Sequence, residues 1–328
     1  MPKEAQVTSA DVAVAAGVSR ATVSFVLNDT PSARVSDATR ERVLAAAREL
    51  GYVPHAAARS LRAGRSDIVL LPIPVFAIGR LFSDWLGELE AAFGSLGYRL
   101  MLIGDHSEDP LAAARSWAQL RPAAVLAIAA GRMVGEVAGV LAHAGIQTLT
   151  VAEAPVEGVL TFVHDQSLVG VTAVEHLVAR GRRRIGVVMP AERGLSVLAE
   201  ARLVGARRAA GAAEIVPLPM RYTDSAAAAL AVLGRELDLD AVFGFNDEYA
   251  ALLIAALGDA GITVPDRIAV VGADDLVSSQ VVRPRLTSIR YVMPPASVFA
   301  DAVDRLIQRE EIPEIPPVRF ELVPRDSS

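Results

Sequence analysis

Residues 17–28 read GVSRATVSFVLN. The valines and the leucine are too many for a surface loop, yet the stretch opens on a glycine, a serine and an arginine. Upstream, Thr8 stands three residues before Asp11, an N-cap pattern, and 11–16 reads as a short helix that Gly17 ends by taking the left-handed conformation. Ser19 then caps a second helix, with Val18, Val23, Val26 and Leu27 on its buried side. A third runs from a Ser36 cap through Val43, Leu44, Ala47 and Leu50 to Gly51, with Pro54 just beyond. Three short helices share one small core, the first two joined by a tight turn. That is a helix-turn-helix, in which the second helix enters the DNA major groove and its first residues meet base edges. Arg20 and Ala21 hold that leading position. Arg20 can reach the O6 and N7 acceptors of a guanine, and Phe25, one turn on, can touch a thymine methyl. The plainer alternative is that Arg20 is a surface residue near a helix start.

Charge supports the first reading. Residues 1–66 hold nine basic and six acidic side chains, a balance of +3, while the whole chain of 328 residues carries −6, which leaves −9 for the remainder. A basic head on an acidic body points to a polyanion partner for the head alone. Cysteine is absent, which excludes a disulfide framework, thiolate zinc sites and cysteine nucleophiles. No signal peptide and no 18-residue uncharged apolar segment is legible, so a soluble cytoplasmic protein without a membrane partner is expected. Lys3 is the only lysine, and with the abundant alanine this fits GC-rich coding better than a functional demand.

The segments VTSADVAVAAGVSRATVSFVLN (7–28) and VSDATRERVLAAARELGYVPHAAARSLRAGRS (35–66) resemble the lactose/galactose-repressor family of bacterial transcription regulators, and the likeness runs through nearly the whole chain. The resemblance implies that PHAAARSLRAG (54–64), a short helix begun by Pro54 and stopped by Gly64, is a hinge helix that inserts into the minor groove with Leu61 as the wedge. Physics agrees: a leucine between Arg59 and Arg62, on a helix too short to own a core, has to bury itself against something else. Packing on the protein's own body is the other possibility. The positions expected to meet DNA are Thr8, Ser19, Arg20, Ala21, Thr22, Ser24, Phe25, Asn28, His55, Ala58, Arg59 and Leu61. His55 stands where the family usually has asparagine, and the loop at 29–34 is slightly longer than usual.

From residue 67 short apolar runs alternate with amphipathic helical stretches: DIVLLPIPV, YRLMLIGD and AAVLAIAA, then GVLTFVHD, RIGVVMP, AEIVPLP, AVFGFND and IAVVGADD. Continuous apolar strands between helices mean parallel sheets covered on both faces, and two successive sets mean two doubly wound subdomains that take ligands beyond the carboxyl ends of their strands. The expected fold is therefore α/β, a three-helix head and hinge helix followed by a two-subdomain body. The resemblance makes that body periplasmic-binding-protein-like, with crossovers near 160–165 and 287–295. Expected boundaries are 1–53 for the head, 54–66 for the hinge and linker, and 67–328 for the body. Subdomain one would take 67–162 and 292–317, and subdomain two 163–291 and 318–328.

No dinucleotide or phosphate loop and no metal spacing among the five histidines is present, so binding without chemistry, cofactor or metal is expected. HSED at 106–109 reads as a polar loop. Polar residues at strand ends are the candidates for a small-molecule effector such as a sugar or nucleobase. Asp274 and Asp275 follow one strand, Asn246 and Asp247 another, and Arg202 is placed early in a helix where Gly205 allows close approach; Asp165 is taken with them as an effector contact. The resemblance puts Arg202, Asn246 and Asp274 in the effector pocket and the aromatic Phe82 near its mouth. An ion pair between Arg202 and Asp274 is the structural alternative. Ala206 and Ala273 stand where the family commonly carries larger or aromatic residues. A solute-binding protein would need an export signal, and an architectural DNA-bending protein would not need the ligand-cleft body. A transcription regulator on a pseudo-palindromic operator is the reading that uses every part, as a repressor and a homodimer because paired half-sites need paired heads. With no heptad tail at Ser328, the dimer is favoured over a tetramer.

Overall fold

The computed structural model describes residues 7–27, 35–53, 66–74, 80–105, 107, 109–128, 135–192 and 194–328. The chain divides into two compact units, Met1–Ser66 and Asp67–Ser328. In the first, α1 is Ser9–Ala16, α2 Arg20–Leu27 and α3 Asp37–Glu49. Thr8 and Asp11 form a capping box on α1, and Gly17, at φ 64°, lets the Val18 N–H reach the Ala13 carbonyl at 3.0 Å. The Ser19 hydroxyl accepts from the Thr22 N–H at 3.1 Å and the Ser36 hydroxyl from the Thr39 N–H at 3.4 Å, so both later helices start where the sequence places their caps. The core is Val12, Ala13, Ala16, Val23, Val26, Val43, Ala46 and Ala47. Leu44 and Leu50 do not belong to it. They are 39% and 37% exposed, because Ala46, one turn on from Val43, takes the inner face of α3.

The second unit has two parallel sheets. In the first the order is β2-β1-β3-β4-β5, with β1 Ile68–Pro74, β2 Arg99–Asp105, β3 Ala124–Ile128, β4 Gln147–Ala152 and β5 Leu160–Val163. Helices α4 (Arg80–Ser95), α5 (Pro110–Gln119) and α6 (Gly135–His143) are its crossovers. The second has the order β7-β6-β8-β9, with β6 Arg184–Pro190, β7 Glu214–Met220, β8 Ala241–Phe243 and β9 Ala269–Val271. Its helices are α7 (Ser167–Ala179), α8 (Ser196–Ala209), α9 (Asp224–Glu236), α10 (Asp247–Asp259) and the short α11 (Val277–Val281). Strand β4 carries two threonines and a glutamine and is not marked by an apolar run. The fully buried Thr150 fits because its hydroxyl donates to the Ala127 carbonyl on the neighbouring strand at 3.1 Å.

The chain passes between the sheets three times. It leaves the first at β5 and enters α7. It returns through β10 (Ser288–Val292) to α12 (Ala296–Gln308), which packs on α4, β3 and β4. It comes back as β11 (Arg319–Val323), antiparallel to β10 with Tyr291 opposite Phe320. In each sheet the strand order reverses beside the first strand of the set, β1 or β6, which opens a crevice at the carboxyl ends. Glu192, Phe245, Asn246 and Asp247 all follow β6 or β8 at that edge.

Helices α7 and α8 touch backbone to backbone. A Cβ on Gly170 would lie 1.9 Å from the Arg202 carbonyl oxygen, and one on Gly205 only 1.8 Å from that of Ser167. This close approach brings Gln166, one residue before α7, beside Arg202. Arg202 lies mid-helix on α8, not early in it, since α8 begins at Ser196.

Candidate functional site

On α2 the sequence sorts its residues by face. Val23 and Val26 are buried, whereas Arg20, Ala21 and Phe25 are exposed, Phe25 at 41%. An aromatic ring left in water beside a small core has no packing reason to be there. Arg20 makes no ion pair within the described residues. Thr8 and Ser19 are exposed but serve as caps, and Thr22 and Ser24 are half-buried. Helices α1 and α2 meet at 103°, inside the range that presents a second helix to a groove. Asn28, His55, Ala58, Arg59 and Leu61, and with them the hinge at 54–65, lie outside the described residues.

In the second unit a hydrogen-bond network centres on Arg202, which is 5% exposed. Its Nε and Nη2 donate to the Gln166 side-chain oxygen at 3.0 and 2.9 Å, Nη1 donates to the Phe245 carbonyl, and Nη2 donates to the Tyr291 hydroxyl. The guanidinium also lies 4.4 Å from the centre of the Phe245 ring. The Tyr291 hydroxyl in turn donates to the Gln166 oxygen at 2.9 Å, and the Gln166 backbone N–H donates to Glu153, just after β4, at 2.8 Å. Arg202 therefore ties α8 to the segment between β5 and α7 and to β10, two of the three passages. No ion pair joins it to Asp274.

His164, at the end of β5, stacks on Phe320 at 5.8 Å and meets Tyr291 edge-on at 5.6 Å. Burial, and then the Arg202 charge, pull its pKa down to about 4, so it is neutral at physiological pH. Burial also pushes Tyr291 up. Asp165, half-buried, accepts from the Ser167 N–H at 2.9 Å and shapes the turn into α7. Phe82 packs against Trp85 at 6.1 Å. The Asn246 side-chain oxygen caps α10 by accepting from the Tyr249 N–H at 3.1 Å. Asp274, at φ 96°, is raised by burial and by the nearby Glu248 carboxylate, against the Arg202 charge. Its side chain makes no hydrogen bond within the described residues.

Asp247 is fully buried. It accepts from the Leu276 N–H at 2.7 Å and from the Ser288 hydroxyl, which binds α10 to β10. Burial pushes its pKa up to about 7. A Cβ on Gly272 would fall 2.3 Å from its Oδ1, so glycine is required there. Asp275, by contrast, is ion-paired to Arg290 at 2.7 Å and to Arg325 at 2.5 Å. Sequence reasoning passed over Gln166, Phe245 and Tyr291. The signal within reach was that Gln166 adjoins Asp165 and Tyr291 sits inside the expected crossover, but pairing them with Arg202 needs the fold. No group of three or more potential metal ligands occurs among the described residues.

A family model for bacterial regulatory proteins of the lacI family matches residues 8–55, and one for a periplasmic binding protein-like domain matches 174–328. The HTH-type transcriptional regulator GalR of Escherichia coli (strain K12) is 31% identical, over 94% of this chain and 91% of its own length. The chain belongs to the lacI family. Another relative, the ribose operon repressor of the same strain, is 29% identical over 97% of both chains. The structure of the regulator CelR in complex with cellobiose is 26% identical with a TM-score of 0.62, over 98% of this chain and all of that one. The lac repressor dimer bound to operator and the anti-inducer ONPF, 23% identical with a TM-score of 0.80 over 98% and 99%, shares the fold. This lacI-family member is thus a DNA-binding transcription regulator with a helix-turn-helix head and a periplasmic-binding-protein-like body. No single helix among its described residues is long and apolar enough to cross a membrane.

Proposed function

We propose that this protein is a cytoplasmic repressor that binds a pseudo-palindromic operator as a homodimer and is controlled by a small molecule held between the two sheets of its body. It acts by binding and not by catalysis. The observation that carries the reading is the Arg20, Ala21 and Phe25 face of α2, polar and apolar contacts exposed together at the leading end of a capped helix. The DNA-reading set is Thr8, Ser19, Arg20, Ala21, Thr22, Ser24, Phe25 and Asn28 in the head, 1–53, with His55, Ala58, Arg59 and Leu61 in the hinge, 54–66. In the body, 67–328, subdomain one is 67–162 with 292–317 and subdomain two is 163–291 with 318–328. Effector contacts are assigned to Phe82, Asp165, Arg202, Asn246 and Asp274. The names of the relatives support this assignment: an operon repressor, a regulator holding cellobiose, and a repressor dimer on its operator.

The test is selection of binding sites from random duplexes, then titration of the selected operator. Arg20→Ala should cost about 1–3 kcal/mol on that operator and relax preference at one base pair per half-site. A loss equal on every sequence would assign Arg20 to the phosphate backbone. Effector control carries its own check, because any ligand that changes operator affinity must have its affinity changed by operator in the same ratio.

A further inference from the structure

The part of the proposed effector cleft around Asp274 has a charge pattern that says what kind of molecule it takes. A cavity of about 650 Å³ opens between α4 and the loop after β9, lined by Asp84, Tyr222, Glu248, Asp274, Asp275 and Leu276 among others. No arginine or lysine lines it among the described residues. Asp275 is answered by Arg290 and Arg325. Asp274 and Glu248 are not: neither carboxylate has a hydrogen bond or ion pair within the described residues, and the Glu248 charge acts on Asp274. The cation in electrostatic reach of Asp274 is Arg202, whose N–H groups already serve Gln166, Phe245 and Tyr291.

The ring of Tyr222 is held at the same cavity, 48% exposed and leaning on Tyr249 at 5.2 Å. Tyr249 is itself fixed by a hydrogen bond to Glu192. An electron-rich ring beside two unanswered carboxylates is the surrounding a cation prefers. Ser278, another lining residue, has a buried hydroxyl with no hydrogen-bond partner within the described residues. That leaves one donor in want of an acceptor oxygen.

We propose that the effector carries a protonated amine together with hydroxyl or ether oxygens, an amino sugar or amino alcohol in class. Its ammonium group sits between Asp274 and Glu248 and against the face of Tyr222. A neutral ligand would strip water from the exposed Glu248 and return no charge to either carboxylate, and an anionic one would meet their repulsion directly. An ammonium group removes both costs. The proposal rests on the reading of this cleft as the effector site.

The experiment is calorimetric titration of the full-length protein with matched pairs that differ by amine against hydroxyl: glucosamine and glucose, galactosamine and galactose, ethanolamine and ethylene glycol. At least one amine should bind tenfold or more tightly than its partner. That preference should collapse in Glu248→Gln and in Asp274→Asn, each checked for an unchanged melting temperature. Equal binding of the hydroxyl partners, binding by no amine, or a preference that survives both substitutions overturns the proposal. Operator titration with the same compounds separates the two claims. A neutral sugar that shifts operator affinity keeps the effector site and removes the amine. An amine that binds with the expected preference yet leaves operator affinity unchanged keeps the ligand class and removes the effector role.

Discussion

Replacing Arg202 by leucine tests whether this side chain is a strut of the body or a hand extended to a ligand. In the folded protein the guanidinium supplies two hydrogen bonds to Gln166, one to the Phe245 carbonyl and one to the Tyr291 hydroxyl, all at buried positions. Leucine fills much of the volume but leaves the Phe245 carbonyl without its side-chain donor. It leaves the Gln166 oxygen with Tyr291 alone. A buried polar group stripped of its partner costs about 1–3 kcal/mol, and because the partners of Arg202 are neutral its removal leaves no unpaired charge behind. The expected loss is therefore about 1–3 kcal/mol. With a urea m-value near the top of the usual range, about 3 kcal/mol/M, the midpoint should fall by about 0.3–1 M. Both tryptophans, Trp85 and Trp117, lie in the second unit, so their emission follows the body without interference from the head. The comparison that decides is Asp274→Asn. If the two residues formed an ion pair, each substitution would destabilise by a similar amount. Because Asp274 is pushed up by burial and lacks a hydrogen bond, its neutral isostere should leave the midpoint unchanged or raise it. A midpoint shift under about 0.3 M for Arg202→Leu, or equal losses for both variants, would refute the reasoning.

Two further expectations come from the same region. Asp247 holds its proton to about pH 7 when folded against 3.8 unfolded, so its contribution is complete below 3.8 and is lost as pH rises to about 7. His164 titrates near 4 folded against 6.5 unfolded, so its contribution is complete above 6.5 and is lost as pH falls to about 4. The two oppose each other between pH 4 and 6.5. Melting temperature across that window should be flatter for the native chain than for Asp247→Asn, which should rise with pH, or His164→Phe, which should fall; identical profiles for all three would dismiss both assignments. Gly205→Ala should destabilise the body by about 1–3 kcal/mol, because its Cβ would fall 1.8 Å from the Ser167 carbonyl and drive α7 off α8. Gly87→Ala, on α4 with open space around it, should be neutral or slightly stabilising, and a similar loss at both sites would mean that helix contact is not the cause.

Local chemistry alone sets the head: Thr8, Ser19 and Ser36 as caps and Gly17 as the turn are decided within three or four residues of chain, which is why they are legible without a fold. The same holds for the apolar strands, whose burial on both faces shows as unbroken runs. Strand β4 escapes such a reading because Thr150 is satisfied by a carbonyl 23 residues away, a partner only the assembled sheet supplies. The functional side chains divide in the same manner. Residue type and position together with the family resemblance are enough to single out Arg202, Asn246 and Asp274, but what each does depends on partners distant in sequence. Gln166, Phe245 and Tyr291 are 36, 43 and 89 residues from Arg202, and they turn it inward to hold the passages together. Asn246 is drawn into the cap of its own helix. Asp274 alone of the three is left with its side chain unpartnered, because the tertiary structure spends the nearby cation elsewhere. Hydrogen bonds between residues far apart in the chain leave no periodic trace in a sequence, so the chain determined its elements and only their packing decided which polar groups remain open to a ligand.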